Sequence, residues 1–394
     1  MVQEQAAPDA MSLFAPEMAG NPYPFYAQLR RDNPVSRIGP LGLWAIAKYD
    51  DCVRILRDPE TFSSIIRVPS PDEVMPPSML FNDPPVHSRL RGLIIKAFTP
   101  RVVELQREAV QEYCDKLIGA MLVEDEVDIV AALAYPLPVM VIANMMGVAD
   151  GDMATFKRWS DEIIENVGQV ILSGDQSGLE ETNRQFDAYF GERLDKLRRE
   201  PEDNLLSELV HAETEEGRLT REDLLMFCRL LLVAGNETTT GLIVNTIRAL
   251  ADFPEVLTRV RQHLDLLPTT TEESLRYYAP FQGTIRRASR DVEVRGETIT
   301  KDERIFVMLA SANRDEEQFE RPDEFLPERD PNRHVAFGMG IHYCVGAPLA
   351  RLEADVALRT LLPRITKIDV EAAEPGSLLR PGGPKSLRVR FERT

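Results

Sequence analysis

The sequence predicts a mainly α protein, a single large α-rich domain spanning 1–394 with a small β region. Three observations carry this. Apolar residues recur at helical spacing through most of the chain. The strand candidates are few and short. No βαβ alternation, repeat period or low-complexity tract divides the sequence.

Taken in order, residues 1–20 are acidic and proline-containing, and read as a loosely ordered segment within that domain. Helical spacing then predicts helices near 22–31 and 49–56, with strands at 34–38 and 42–48 between them. Residues 68–85 hold Pro69, Pro71, Pro76, Pro77, Pro84 and Pro85 and must be irregular, because proline removes a donor and biases its predecessor to extended geometry. Met75, Met79, Leu80 and Phe81 make this loop apolar enough to pack or to face a ligand. Helices follow near 87–97, 101–122, 136–147, 151–168, 179–199, 203–212, 220–251, 255–265 and 269–278. Strands are expected at 284–288, 292–294, 297–299, 304–309 and 386–391. Pro322, Pro327 and Pro331 make 320–334 an irregular meander, and a last helix is predicted at 346–362.

The net charge of −18 and pI near 4.9 argue against a nucleic-acid partner, which demands a basic footprint. Four scattered cysteines make no disulfide framework. No apolar run approaches the roughly 18 residues of a membrane span, and no signal peptide precedes the fold. A cytoplasmic protein with no membrane partner is expected. Basic residues bunch at Arg89, Arg91, Lys96 and Arg101, and again at His342 and Arg351.

The string Phe337-Gly-Met-Gly-Ile-His-Tyr-Cys-Val-Gly346 holds Cys344 between glycines, beside a histidine and ahead of a helix. Gly338, Gly340 and Gly346 let the backbone turn tightly and approach a flat ring. Backbone N–H groups at the helix start can stabilise a thiolate. Such a thiolate, as an axial ligand, pushes electron density to haem iron and favours O–O cleavage. Cys52, Cys114 and Cys228 lack such neighbours and read as small buried hydrophobes.

A second string, Ala234-Gly-Asn-Glu-Thr-Thr-Thr-Gly241, interrupts the most apolar helix with glycines, an acid and three threonines. All are poor residues for a buried helix. Gly235 would permit close approach of a cofactor. A threonine hydroxyl can bond the carbonyl four residues back and open the helix locally. Glu237 and Thr238 could pass protons to a ligand; a polar cluster satisfied by water reads equally well. Glu273 and Arg276 share a helix face at i, i+3, and Arg329 closes the meander, so one carboxylate between two guanidinium groups would pin the meander to the helix. His87 and Arg91 lie four apart on one face, and with Arg286 and His334 they suit an anionic cofactor edge. Each alone reads as a surface group.

Together these residues resemble the cytochrome P450 superfamily, in its soluble bacterial branch, over nearly the whole chain. The cysteine loop fits Phe-Gly-x-Gly-x-His-x-Cys-x-Gly at every fixed position. Ala234–Thr239 fits the oxygen-activation motif, Glu273 and Arg276 the Glu-x-x-Arg pair, Arg329 its third member, and Asp83–Arg91 the start of the propionate-binding helix.

The resemblance implies a haem-thiolate monooxygenase that inserts one oxygen atom from O2 into a lipophilic small molecule, using haem b and an external ferredoxin with its reductase. It makes Cys344 the axial iron ligand, with Phe337, Gly338 and Ala234 against the cofactor. His87, Arg91, Arg286 and His334 would hold propionates, and Thr238 and Glu237 would act in catalysis. Met79, Leu80, Val233, Phe281 and Leu379 would face substrate, with Val167, Val170 and Ile171 as a lid. The basic residues around Arg89 and Lys96 would form the docking face. A peroxide-driven or C–C coupling oxidase on the same fold, or a haem-based gas sensor, are the alternatives.

Overall fold

The structure is a computed structural model and describes residues 18, 20–38, 42–66, 78–173, 177–214, 217–376 and 382–394. The N-terminal segment, save Met18 and Gly20, lies outside the described residues, as do Met75 and Leu379.

The helix Arg221–Asp252 is the axis of the molecule. At 32 residues it runs about 48 Å. Its start is fixed by a reciprocal cap. The Thr220 hydroxyl accepts from the Asp223 N–H at 3.1 Å, and the Asp223 carboxylate accepts from the Thr220 N–H at 2.9 Å. Pro254 opens the next helix, Pro254–Gln262, and so ends this one. Leu224, Leu232, Leu242, Ile243, Val244, Ile247 and Leu250 are buried around its circumference. Helices Pro136–Met145, Glu180–Arg199, Leu267–Tyr277 and Ala347–Leu361 pack against it and share one continuous apolar core.

A five-stranded sheet stands beside this bundle, in the order Val35–Ile38, Leu43–Ile46, Arg304–Val307, Thr284–Ala288, Phe62–Ser63. All neighbours are antiparallel except Leu43–Ile46 with Arg304–Val307. In that register Ile305 lies opposite Arg286, so the sheet fixes where the arginine emerges. Val35, Trp44, Ile46, Phe62, Ile305 and Val307 form a second core beneath the helix Tyr49–Arg57.

The expected helices recur within a few residues, with one break. The predicted 101–122 helix is two, Pro100–Glu104 and Arg107–Met121. Val103 and Val110 are both buried, so the apolar phase carries across the interruption and conceals it. A ten-residue strand, Ile365–Glu374, was not expected. It pairs antiparallel with Ser386–Arg393, with register shifts at Ile365/Lys367 and Val370/Ala372. Those bulges destroy the two-residue alternation by which a strand is read from sequence.

Candidate active site

The loop ahead of the helix Ala347–Leu361 is built around Cys344. The Cys344 N–H donates to the Phe337 carbonyl at 2.9 Å, and the Gly338 N–H to the Val335 carbonyl at 2.9 Å. Gly338 and Gly340 both sit at φ +70°, the left-handed region that favours glycine. A Cβ on Gly340 would also collide with the Leu56 carbonyl oxygen, so the loop lies directly on the helix Tyr49–Arg57. Burial raises the Cys344 pKa, while the backbone N–H groups of Gly346 and Ala347, then Arg91 and Arg351, oppose it. The donors aimed at this sulfur are those an anionic ligand needs. The other three cysteines are fully buried, and burial pushes Cys114 and Cys228 up to about 12 and Cys52 higher.

Beside the loop lies a cluster of basic groups. His87, on the helix Val86–Ile94, is 1% exposed, and neither ring nitrogen has a well-formed hydrogen bond; only a weak backbone contact to Ile341 remains. Its ring centroid lies 4.3 Å from that of His342, whose Nε2 meets the Ser64 hydroxyl at 2.8 Å. Burial, then Arg286, His87 and Arg91, pushes His342 down to about 3. Arg286 is 7% exposed and donates only to neutral groups, the Ile285 carbonyl at 2.8 Å and the Thr284 hydroxyl at 3.2 Å; burial pushes it down to about 10. The neighbouring carboxylate, Asp83, is taken by Ser63 and the Ser64 N–H. Among the described residues no carboxylate pairs with Arg286. A buried cation without a counter-ion is costly. Arg286 and the orphaned His87 therefore fit an anionic edge such as a pair of propionates. Arg91 adds a guanidinium that donates to the Tyr343 carbonyl at 2.6 Å.

His334 stands differently from expectation. Its Nε2 meets Glu272 Oε2 at 3.0 Å, and its Nδ1 accepts from the Ala336 N–H at 3.2 Å, so both nitrogens are engaged inside the protein. Glu272 also accepts from Arg351 at 2.6 and 2.8 Å. Burial raises Glu272, but hydrogen bonds from Arg351 and His334 win and hold it down to about 2. His342, within the fixed cysteine pattern, is the imidazole that stands next to His87 instead; the sequence marks it as a basic group beside Cys344 but does not assign it to the cofactor edge.

In the central helix, Ala234 is exposed and Thr238 half-buried, although the flanking turns are buried. The Thr238 hydroxyl donates to the Ala234 carbonyl at 2.7 Å, the four-residue back-bond expected. Glu237 is buried. A Cβ on Gly382 would lie 3.4 Å from its carboxylate, and one on Gly241 only 2.6 Å from the Gly382 carbonyl carbon, so the C-terminal hairpin closes tightly on this turn. Gly235 is corrected. It faces the helix Pro136–Met145, where a Cβ would meet Ile142 Cδ1 at 2.6 Å, and serves helix packing rather than cofactor approach.

Glu273 and Arg276 are both 0% exposed. Two parallel hydrogen bonds at 2.7 and 2.8 Å join them, and Arg329 Nε adds bonds of 3.1 and 3.2 Å to the same carboxylate. Arg276 also donates to the Asn313, Pro322 and Glu324 carbonyls, and the Leu326 N–H returns to Glu273. This knot ties the meander to the helix Leu267–Tyr277.

The expected apolar contacts are spread out. Met79 packs with Leu90, Met226, Phe227 and Leu230 around a small cavity, Leu80 is exposed, Val233 is half-buried on the central helix, and Phe281 packs on the sheet core. Leu379 lies outside the described residues, and the side chains of Val167, Val170 and Ile171 are likewise not described. A larger cavity of about 130 Å³, lined by Tyr23, Asn245, Arg248, Tyr278 and Gln282 among others, includes no residue of the cysteine loop. Of the basic groups expected on a docking face, Arg89 is corrected: it is held by Asp223 at 3.0 and 3.2 Å. Lys96 and Arg101 are exposed and make no ion pair among the described residues.

A family model described as Cytochrome P450 matches residues 34–371. The chain is 37% identical to the cytochrome P450 monooxygenase PikC of Streptomyces venezuelae, over 98% of this chain and 96% of that protein. Its backbone is similar to that of cytochrome P450 CYP109Q5 from Chondromyces apiculatus, with TM-score 0.88 and 39% identity, covering 96% of this chain and 97% of the other. It is also similar to CYP109E1 from Bacillus megaterium in complex with testosterone, with TM-score 0.85 and 35% identity, covering 94% and 99%.

Proposed function

The chain belongs to the cytochrome P450 family of monooxygenases, and on that premise we propose that it inserts one atom of O2 into a lipophilic small molecule, by C–H hydroxylation or epoxidation. The observation that carries this reading is the pairing of a sulfur met by backbone N–H groups with a buried arginine and histidine that form no ion pair among the described residues. The family implies a haem-thiolate cofactor. Haem b, ligated by Cys344, supplies the activation of dioxygen.

Each residue then has a physical task. The glycines of the cysteine loop and the N–H groups of Gly346 and Ala347 hold Cys344 as the ligand. Arg286, His87 and Arg91, joined by His342, take the carboxylate edge, where charge-assisted hydrogen bonds replace the missing counter-ion. Thr238 donates its hydroxyl proton to the Ala234 carbonyl, oxygen to oxygen 2.7 Å, and can turn it to the exposed side of that turn. Glu237 behind it exchanges protons with solvent. Phe337 and Ala234 would lie against the cofactor. Val233 and Met79 contribute apolar walls, which suits a lipophilic substrate; the testosterone complex of CYP109E1 supports that class.

Electrons come from an external ferredoxin. Lys96 and Arg101, exposed just beyond the helix Val86–Ile94 and without an ion pair among the described residues, are its contact points in this reading. The test is turnover of a lipophilic panel with a surrogate ferredoxin and reductase, against peroxide alone. Product only with the electron donors is expected, with slower reduction when Lys96 and Arg101 are reversed to glutamate at low salt. Product with peroxide alone, or reduction indifferent to both reversals, would overturn the respective part.

A further inference from the structure

On the side of the central helix away from Thr238, a run of hydrogen bonds crosses three elements. At about 100° per residue, Ala234 and Thr238 share one face, and Asn236 and Thr240 share the opposite one. Asn236 is wholly buried, and its Nδ2 donates to the Ser160 hydroxyl at 3.0 Å. Ser160 belongs to the helix Met153–Ser173 and is also wholly buried. Thr240 donates to the Ala134 carbonyl at 3.0 Å, with Asn236 Oδ1 3.4 Å away. The Tyr135 hydroxyl, beside Ser160 and Asn236, donates to the Asp161 carboxylate. Burial, then Asp161, raises the Tyr135 pKa, so the hydroxyl keeps the proton it donates.

The far-side set thus joins a buried amide to one hydroxyl, with a second hydroxyl beside them donating to a half-buried carboxylate. It grips the turn that is intrinsically weakest in the helix. Gly235, Gly241 and three threonines lower helix propensity there, and the Thr238 hydroxyl competes for the Ala234 carbonyl. With Gly235 seated on Ile142, Asn236 on Ser160 and Thr240 on the Ala134 carbonyl, this turn is held by two neighbouring helices and the segment before the first of them.

We infer that Asn236, Ser160, Tyr135 and Asp161 are positioning residues for the oxygen reaction: they hold the far face of the weakened turn so that Thr238 and Glu237 keep their place on the near face. This rests on the role given to Thr238 above. None of the four touches the cofactor side. Their effect is on the order and pitch of residues 234–241, and through these on how faithfully electrons go to product.

The test uses the haem-loaded enzyme. Ser160→Ala removes the acceptor of Asn236, Tyr135→Phe removes the next hydroxyl while keeping the ring, and Ser160→Thr keeps a hydroxyl. Amide hydrogen exchange over 232–242 is expected to rise about tenfold in Ser160→Ala and less in Tyr135→Phe, because a buried donor loses its partner. Peroxide released per electron should rise in the same order, with substrate affinity within about twofold of wild type. Ser160→Thr should restore both readouts. Should Ser160→Ala fail to fold, Tyr135→Phe alone decides. Unchanged exchange in the variant that folds, or Ser160→Thr as damaged as Ser160→Ala, would overturn the inference. If Thr238→Ala leaves coupling intact, the role of Thr238 falls, while the exchange result still decides whether the far face is tethered.

Discussion

His87 and His342 stack with ring centroids 4.3 Å apart, one on the helix Val86–Ile94 and the other two residues before Cys344. Two imidazoles and the buried Arg286 share one side of the cysteine loop; the nearby carboxylate, Asp83, is held by Ser63 and Ser64, and among the described residues none forms an ion pair with them. That juxtaposition states the polarity of what belongs there.

Cofactor retention should therefore depend on Arg286. Arg286→Leu is expected to speed loss of haem to a globin acceptor by about 10- to 100-fold, as for a lost charged hydrogen bond. His87→Phe should do so by less, and His334→Phe least, because His334 is engaged with Glu272. A rate unchanged in Arg286→Leu would remove this arginine from the cofactor edge.

Glu273 is the keystone of the meander. Glu273→Gln leaves Arg276 and Arg329 as buried cations with a neutral partner, and should cost about 3–5 kcal/mol of stability in denaturant titration. Arg276→Lys should be nearly as damaging, because one ammonium cannot reach Glu273 and the Asn313, Pro322 and Glu324 carbonyls together. A loss under about 1 kcal/mol in both would make the knot ornamental.

Glu272 gives a pH signature. Its folded pKa, about 2, lies below the ordinary 4.5. A depressed carboxyl contributes stability that is fully present above the unfolded value and is lost as pH falls through the folded one. The wild type should lose stability relative to Glu272→Gln as pH falls from 4.5 toward 2, and hold its margin above that window. Parallel stability curves for the two proteins across that range would refute the assignment.

Thr238→Ala should uncouple electron use from product and release hydrogen peroxide, with the substrate-binding constant little changed. Thr239→Ala is the control, since Thr239 is buried and Thr238 is the half-buried hydroxyl beside the exposed Ala234. Uncoupling confined to Thr239→Ala would transfer the role.

Much of the fold was legible because helices dominate it and apolar periodicity marks their buried faces. The strand Ile365–Glu374 was not, since its bulges break the alternation. The cysteine loop was legible because each fixed position answers a local demand, such as the left-handed backbone at Gly338 and Gly340. Long-range partners were invisible. Nothing near His334 announces Glu272, 62 residues away, and nothing near Arg89 announces Asp223, 134 residues away. Sequence shows a charge and not its counter-ion, so His334 is expected on the propionate edge and Arg89 on the docking face. Gly235 was assigned to the cofactor for a similar reason, as one helix alone does not say which face its neighbour covers.

The most direct measurement is the difference spectrum of the dithionite-reduced, carbon-monoxide-treated holoprotein. Thiolate ligation from Cys344 predicts the long-wavelength Soret maximum in the wild type and its loss in Cys344→Ser. A short-wavelength maximum in the native protein, or the same spectrum from both proteins, would contradict the account.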